Sequence, residues 1–210
     1  MKLFGSINSA IKTLIFTNVA INMADGFLGP IFAIFVTQKI APGEIRVTGY
    51  AIAVYWLIKS IIQLPFAKFL DKTDGEKDDY LAMVFGGVIF VITPLVYTIV
   101  QTPLQLYLAQ ALLAIGGTLY VVPWSSIFTR HVDRFRIGFE WSLNSSILGF
   151  GLMLANALGG LLTENFGFNT VFYIAAVFNL IGFVGLLSLK RHIRQRTRLE
   201  QAFPEHHKSK

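Results

Sequence analysis

The sequence predicts an all-α integral membrane protein of six transmembrane helices, arranged as two inverted three-helix repeats. Three observations predict it. The 210 residues are 54% hydrophobic and only 14% charged, with a mean hydropathy of +0.58, whereas a soluble domain carries about a quarter charged residues. The few charges are clustered, which leaves uncharged runs of membrane-spanning length. Segments in the two halves of the chain also match at one constant offset of 93 positions.

A hydrocarbon core about 30 Å thick is crossed by roughly 20 helical residues, and soluble helices of that length seldom lack charge. The first span covers residues 10–38, with Asp25 near its middle. It does not read as a cleaved signal segment, because the apolar pattern continues past Asp25 through Gly26-Phe27-Leu28-Gly29-Pro30. The second covers 46–70, with Lys59 inside it. Residues 80–129 carry no charge, and the polar break Gln101-Thr102-Pro103 divides them into spans at 80–101 and 103–130. Two more uncharged runs, separated only by Glu164, place the fifth and sixth spans at 137–163 and 168–190. Residues 1–190 thus form one six-helix bundle with repeat units at about 10–101 and 103–190. A basic tail, 191–210, follows.

Of the 18 Lys and Arg residues, 15 fall on the side of the N-terminus: at the N-terminal end itself, at and between the ends of spans two and three and of spans four and five, and at the end of the sixth span and in the tail. Lys39 and Arg46 lie on the other side. The positive-inside rule therefore places both termini in the cytoplasm, most simply at a plasma (cell inner) membrane. The net charge of +6 is accounted for by basic loops beside anionic lipid, so the lipid bilayer and not nucleic acid is the expected partner. With no cysteine, disulfide scaffolds and thiolate metal or redox sites are excluded. No catalytic constellation, phosphate-cradling glycine loop or metal-ligand cluster stands out. The reading is of a protein that is not an enzyme and needs no cofactor.

The offset of 93 lays Pro30-Ile31-Phe32-Ala33-Ile34-Phe35 on Pro123-Trp124-Ser125-Ser126-Ile127-Phe128. It also lays Ala67-Lys68-Phe69-Leu70-Asp71 on Gly160-Leu161-Leu162-Thr163-Glu164. Because three spans is an odd number, units of three must have opposite topology.

Asp25 and Lys59 are the residues that composition cannot explain away. A charge at the bilayer centre costs roughly 2.5–3.5 kcal/mol on insertion scales, so both should face protein or water. Asn18, Asn22, Asp25 and Gly29 repeat at helical spacing and form one polar stripe; Trp56, Lys59 and Gln63 form another, with Tyr55 one turn before Lys59. Two stripes of opposite charge describe either a buried ion pair or the wall of a hydrated cavity. Tyr120 and Trp124 in the fourth span, and Asn144 and Asn156 in the fifth, are further cavity candidates. Gly151, Ala155 and Gly159 make a small-residue face suited to close helix packing.

At this point the chain resembles one six-helix half, of N-terminal type, of the major facilitator superfamily. The family carries Gly-x-x-x-Asp-(Arg/Lys)-x-Gly-x-(Arg/Lys)-(Arg/Lys) after its second span, and Ala67-Lys68-Phe69-Leu70-Asp71-Lys72-Thr73-Asp74-Gly75-Glu76-Lys77 occupies that place. Ala67 replaces the first glycine, Asp74 is an extra residue, and Asp78 stands where a second base is usual. Gly26 to Pro30, and Gly159-Gly160 leading to Thr170-Val171-Phe172, complete the likeness, which covers residues 10–190. No arginine precedes Arg130 in the fourth span, and Ala155-Asn156 stands in place of a Gly-Pro pair. The resemblance implies a secondary active transporter of small molecules working by alternating access, with proton coupling or substrate binding at Asp25. It implies a gating role for Ala67, Asp71, Lys72, Gly75 and Lys77. It also implies that a second copy of the chain or another six-helix half completes the cavity. The alternative is a non-transporting subunit that binds another membrane protein; a third reading is the N-terminal half of a longer chain.

Overall fold

The structure, a computed structural model, describes residues 7–72 and 76–202, with side chains through Ile193. Among the described residues the chain forms six long helices and no strand: α1 (Ser9–Phe35), α2 (Ile45–Leu70), α3 (Lys77–Tyr97), α4 (Pro103–His131), α5 (Ile137–Phe166) and α6 (Phe168–Ala202). Each contains a segment long and apolar enough to cross a membrane. A π-helical turn, Val36–Ile40, prolongs α1. At the other end α6 runs unbroken to Ala202, so the backbone shows no break where the basic tail was expected to begin.

Local chemistry explains where the helices start and stop. The Asn8 side chain accepts the Ala10 N–H at 3.0 Å and caps α1. Thr102 and Gln105 form a reciprocal capping box at the start of α4, where Pro103 needs no partner for a missing N–H. Gly167, at φ 80°, makes the one-residue turn between α5 and α6, a conformation that a side chain would oppose. Within the helices, hydroxyl and amide groups turn back on their own backbone: Thr17 donates to the Thr13 carbonyl, Thr93 to Ile89, Thr118 to Ala114 and Thr163 to Gly159, all at 2.6–3.0 Å. Such bonds let apolar-phase helices carry polar residues without exposing an unsatisfied group. Helices α1 to α4 each also hold one internal proline, Pro30, Pro65, Pro94 and Pro123.

Helix α1 packs against α5 and α6, α4 packs against α2 and α3, and α3 meets α6. Exchanging the first three helices with the last three leaves this scheme unchanged, which supports the repeat reading. Apolar clusters close both ends of the bundle. One, at the end that carries the α2–α3 and α4–α5 loops, is built on Ile11, Leu14, Trp124, Ile127, Phe128 and Leu189. The other gathers Phe35, Val36, Val47, Tyr97, Leu106 and Phe172. Helices α2 and α5 are the least covered, with 17% of their spanning windows buried against 39–50% for the other four.

The face of Gly151, Ala155 and Gly159 lies along α1. A methyl group on Gly159 would strike the Phe27 carbonyl, one on Gly151 would meet Met23, and one on Gly26 would meet Ala155. Where lipid offers no hydrophobic drive for helices to associate, such close approach supplies the dispersion contacts that hold them together. Gly159→Val should therefore destabilise the bundle by about 1–3 kcal/mol, seen as a lower melting temperature in detergent. Gly160→Val, facing open space, should leave melting unchanged. Equal melting of the two variants would show that the seam is not tightly packed.

Candidate functional site

Between the two apolar ends lies a cavity of about 680 Å³. Its walls come chiefly from α1 (Asn18, Asn22, Asp25, Gly29), α2 (Tyr55, Trp56, Lys59) and α4 (Gln110, Tyr120, Trp124, Ser125), with Phe90 and Tyr97 from α3 and a single residue, Leu148, from α5. The polar stripe along α1 and most of the stripe along α2 thus meet in one space. Gln63 is half-buried outside it. Asn144 lies behind the wall, buried, where its Oδ1 accepts from the Asn18 side chain at 3.2 Å. Asn156 is exposed on α5, bonded to its own Leu152 carbonyl at 2.7 Å and set against Gly29.

The wall of α1 is internally braced. Asn22 donates to the Asn18 carbonyl at 2.7 Å and to its side-chain oxygen at 2.9 Å. One turn further on, Asp25 is exposed to the cavity. Its carboxylate accepts no hydrogen bond and forms no ion pair among the described residues. Lys59, across the cavity, is within electrostatic reach of Asp25 without being paired to it. Its ammonium donates to the Tyr55 hydroxyl at 3.1 Å and lies 5.3 and 5.1 Å from the ring centres of Tyr55 and Trp56. A cation held on ring faces gains about 0.5–1 kcal/mol in the open and about 2 when desolvated.

The cavity also holds Gln110 and Tyr97, which the sequence reading did not single out, beside Tyr120 and Trp124, which it did. Gln110 is buried and donates to the Tyr97 hydroxyl at 3.3 Å. Tyr120 is 2% exposed, and its hydroxyl has no hydrogen-bond partner among the described residues. Trp124 fixes α4 to α1 by donating its indole N–H to the Leu14 carbonyl at 3.1 Å, and it stacks on Phe128. Only its ring is left to face the cavity.

At the end bearing the α2–α3 loop, Asp71 and Lys72 are exposed, Ala67 is half-buried and accepts the Asp71 N–H at 2.9 Å, and Lys77 opens α3. Gly75 lies outside the described residues. The acidic and basic run 71–79 reads in sequence as a solvated loop, and here the structure differs. Glu76 and Asp79 are buried. Asp79 pairs with Arg130 at 2.6 Å, and His131 Nδ1 lies 3.5 Å from Glu76 Oε1. The acids sit at the N-terminus of α3 and the bases in the last turn of α4, where the helix dipoles favour each sign of charge. A helical period starting at Glu76 could have flagged them, since 76, 79 and 83 lie on one face with the buried Met83.

Six helices long and apolar enough to cross a membrane, around a cavity lined by two opposite charges, define an integral membrane protein of several spans. The chain belongs to the Major Facilitator Superfamily, whose family model matches residues 14–209. It is similar to "Multidrug resistance protein MdtG" of Dickeya zeae (strain Ech586), 25% identical over 86% of this chain and 44% of that protein. The protein of the same name from Escherichia coli O9:H4 (strain HS) is 24% identical over 79% of this chain and 40% of its own length. In fold it resembles the crystal structure of the POT family transporter PepTSo, with a TM-score of 0.62 and 16% identity over 87% of this chain and 37% of that one. The chain spans about two fifths of the length of the relatives it matches. Membership in this family agrees with the expectation that the chain is not an enzyme.

The native chain contains no cysteine, so single cysteines report accessibility on a silent background. Asn22→Cys and Trp56→Cys should react with a water-soluble thiosulfonate. Ala24→Cys and Ala175→Cys, at positions fully buried in the bundle, should not. Uniform labelling of all four would mean that the cavity is not a distinct water-filled space.

Proposed function

We propose that this chain is one six-helix half of a secondary active transporter for small molecules, with Asp25 as its coupling or substrate-binding residue. The observation that carries this reading is the unpaired carboxylate in a cavity at mid-bilayer depth. Among the described residues, the other buried polar atoms of the spans that lack a hydrogen-bond partner are uncharged side-chain atoms or a ring nitrogen: the Tyr120 hydroxyl beside the same cavity, Thr48 Oγ1, Asn179 Oδ1 and His192 Nδ1. A charge kept unpaired in low dielectric is expensive; a transporter has a use for it because its partner is the cargo or a proton.

The cavity is one wall of a larger space. It is open beside α2 and α5, the two helices with the least cover, and α5 contributes only Leu148 to its lining. A second six-helix bundle facing these helices, from a second copy of the chain or another half, completes the enclosure. Alternating access then follows from rocking one bundle against the other. Both termini face the cytoplasm of a cell inner membrane in this reading, as the distribution of Lys and Arg supports. On the same side, Asp71, Lys72, Lys77 and Ala67 form the gate that packs against the facing bundle. The relatives' name, multidrug resistance protein, supports small organic molecules as cargo.

In proteoliposomes at equal protein density, Asp25→Asn should reduce uptake of a cargo identified by thermal-shift screening at least tenfold and flatten its pH dependence. Unchanged uptake and pH profile would remove Asp25 from the mechanism. Native mass spectrometry of the chain in lipid nanodiscs should show a two-fold mass or a co-purified six-helix partner. A monomer with no partner recovered from native membranes would overturn the paired arrangement.

A further inference from the structure

Asp25 and Lys59 line one cavity and yet do not pair with each other. Opposite charges in contact at 4 Å attract by about 4 kcal/mol at an effective dielectric of about 20, so two flexible side chains meant as a permanent structural pair would close the gap. Here the lysine is drawn aside instead, onto Tyr55 and Trp56. It retains donors for another acceptor, because an ammonium has three N–H groups and the hydroxyl takes one. Asp25 keeps its whole acceptor capacity.

We propose that the cavity binds a zwitterion with a flat apolar body, its ammonium held by Asp25 and its anionic group by Lys59. This rests on the reading of the cavity as a transport site and names the class of its cargo. The empty wall carries one negative and one positive charge, with a sum of zero. A simple cation satisfies Asp25 and leaves Lys59 as uncompensated charge in a water-poor space; a simple anion does the reverse. Only an occupant carrying both signs compensates both residues while leaving the cavity neutral, which matters because isolated charge in low dielectric costs several kcal/mol. A homodimer doubles both charges and keeps the same balance. The remaining walls describe the body of the molecule. Phe32, Tyr55, Trp56, Phe90 and Trp124 present rings to the cavity, and ring faces favour offset or edge-on contact with flat apolar groups.

The test measures binding to the purified full chain in nanodiscs at neutral pH by isothermal calorimetry. The probes are tryptophan and para-aminomethylbenzoate, two aromatic zwitterions that differ in charge separation, each with its methyl ester (a cation) and its N-acetyl derivative (an anion). At least one zwitterion should bind about tenfold or more tighter than both of its singly charged forms, the effect of one charged hydrogen bond. Asp25→Asn should abolish the difference between that zwitterion and its N-acetyl form. Lys59→Met should abolish the difference between it and its ester. The comparison on the unaltered protein stands even if a variant fails to fold. An ester that binds best, an N-acetyl form that binds best, equal binding of all forms, or no binding at millimolar concentration overturns the proposal. Zwitterion binding without uptake in proteoliposomes would leave the ligand class standing and remove transport. Uptake of a singly charged cargo, lost in Asp25→Asn, would do the opposite.

Discussion

The interior of a bilayer neither hydrates a charge nor accepts a hydrogen bond, and the rest of this structure depends on that constraint. It forces the backbone into helices, whose N–H and C=O groups are satisfied within each segment. It turns the hydroxyls and amides of Thr17, Thr93, Thr118 and Asn156 back onto carbonyls one turn earlier. It also removes the usual hydrophobic drive between helices, so that contact must come from close fitting. The seam of Gly26, Gly151, Ala155 and Gly159 provides that fit between α1 and α5, as Gly86 against Gly116 does between α3 and α4. Against this pattern Asp25 stands out as a mid-helix carboxylate with no bonded partner among the described residues.

The same constraint separates the roles of the charges. Asp79 with Arg130 is a matched charge pair at the ends of α3 and α4, with His131 set beside Glu76, and these contacts join two helices where the dipole fields suit each sign of charge. They lie at a boundary where water can share the load. Asp25 and Lys59 lie in the middle of their helices and face each other across a cavity. Burial alone does not distinguish the two sets, since Asp79 is more buried than Asp25; a close partner of opposite sign, present in the first set and lacking in the second among the described residues, does.

The spans were legible in the sequence because charge depletion over twenty residues is a long-range signal that individual side chains do not blur. Five helix starts fall within one residue of expectation, the third within three, because Asn8, Pro103 and Gly167 act through local backbone chemistry. The polar stripe on α1 was legible for a similar reason: Asn18, Asn22 and Asp25 sit at helical spacing in an apolar background. The pairing of helices was not. A span that is apolar all round gives no sign of which face meets which neighbour, so Gln110 with Tyr97, Trp124 with Leu14 and Asn18 with Asn144 appear only once the helices are rotated into place. Gln63, at the right spacing from Lys59, stands outside the cavity because the wall of α2 ends at Lys59. The burial of Asp79 was hidden by its exposed neighbours Asp78 and Lys77, which gave the whole stretch the look of a solvated loop.

The arrangement of neighbours around α2 and α5 has a mechanical consequence. Helix α2 leans mainly on α4, and α5 mainly on α1, while α3 and α6 brace each other behind them. A force applied to the outer faces of α2 and α5 therefore passes first into α4 and α1, the two helices that carry Tyr120 and Asp25, and through them into α3 and α6. Because Lys59 stands on α2 and Asp25 on α1, any displacement of α2 relative to α1 changes the width of the space between the two charges.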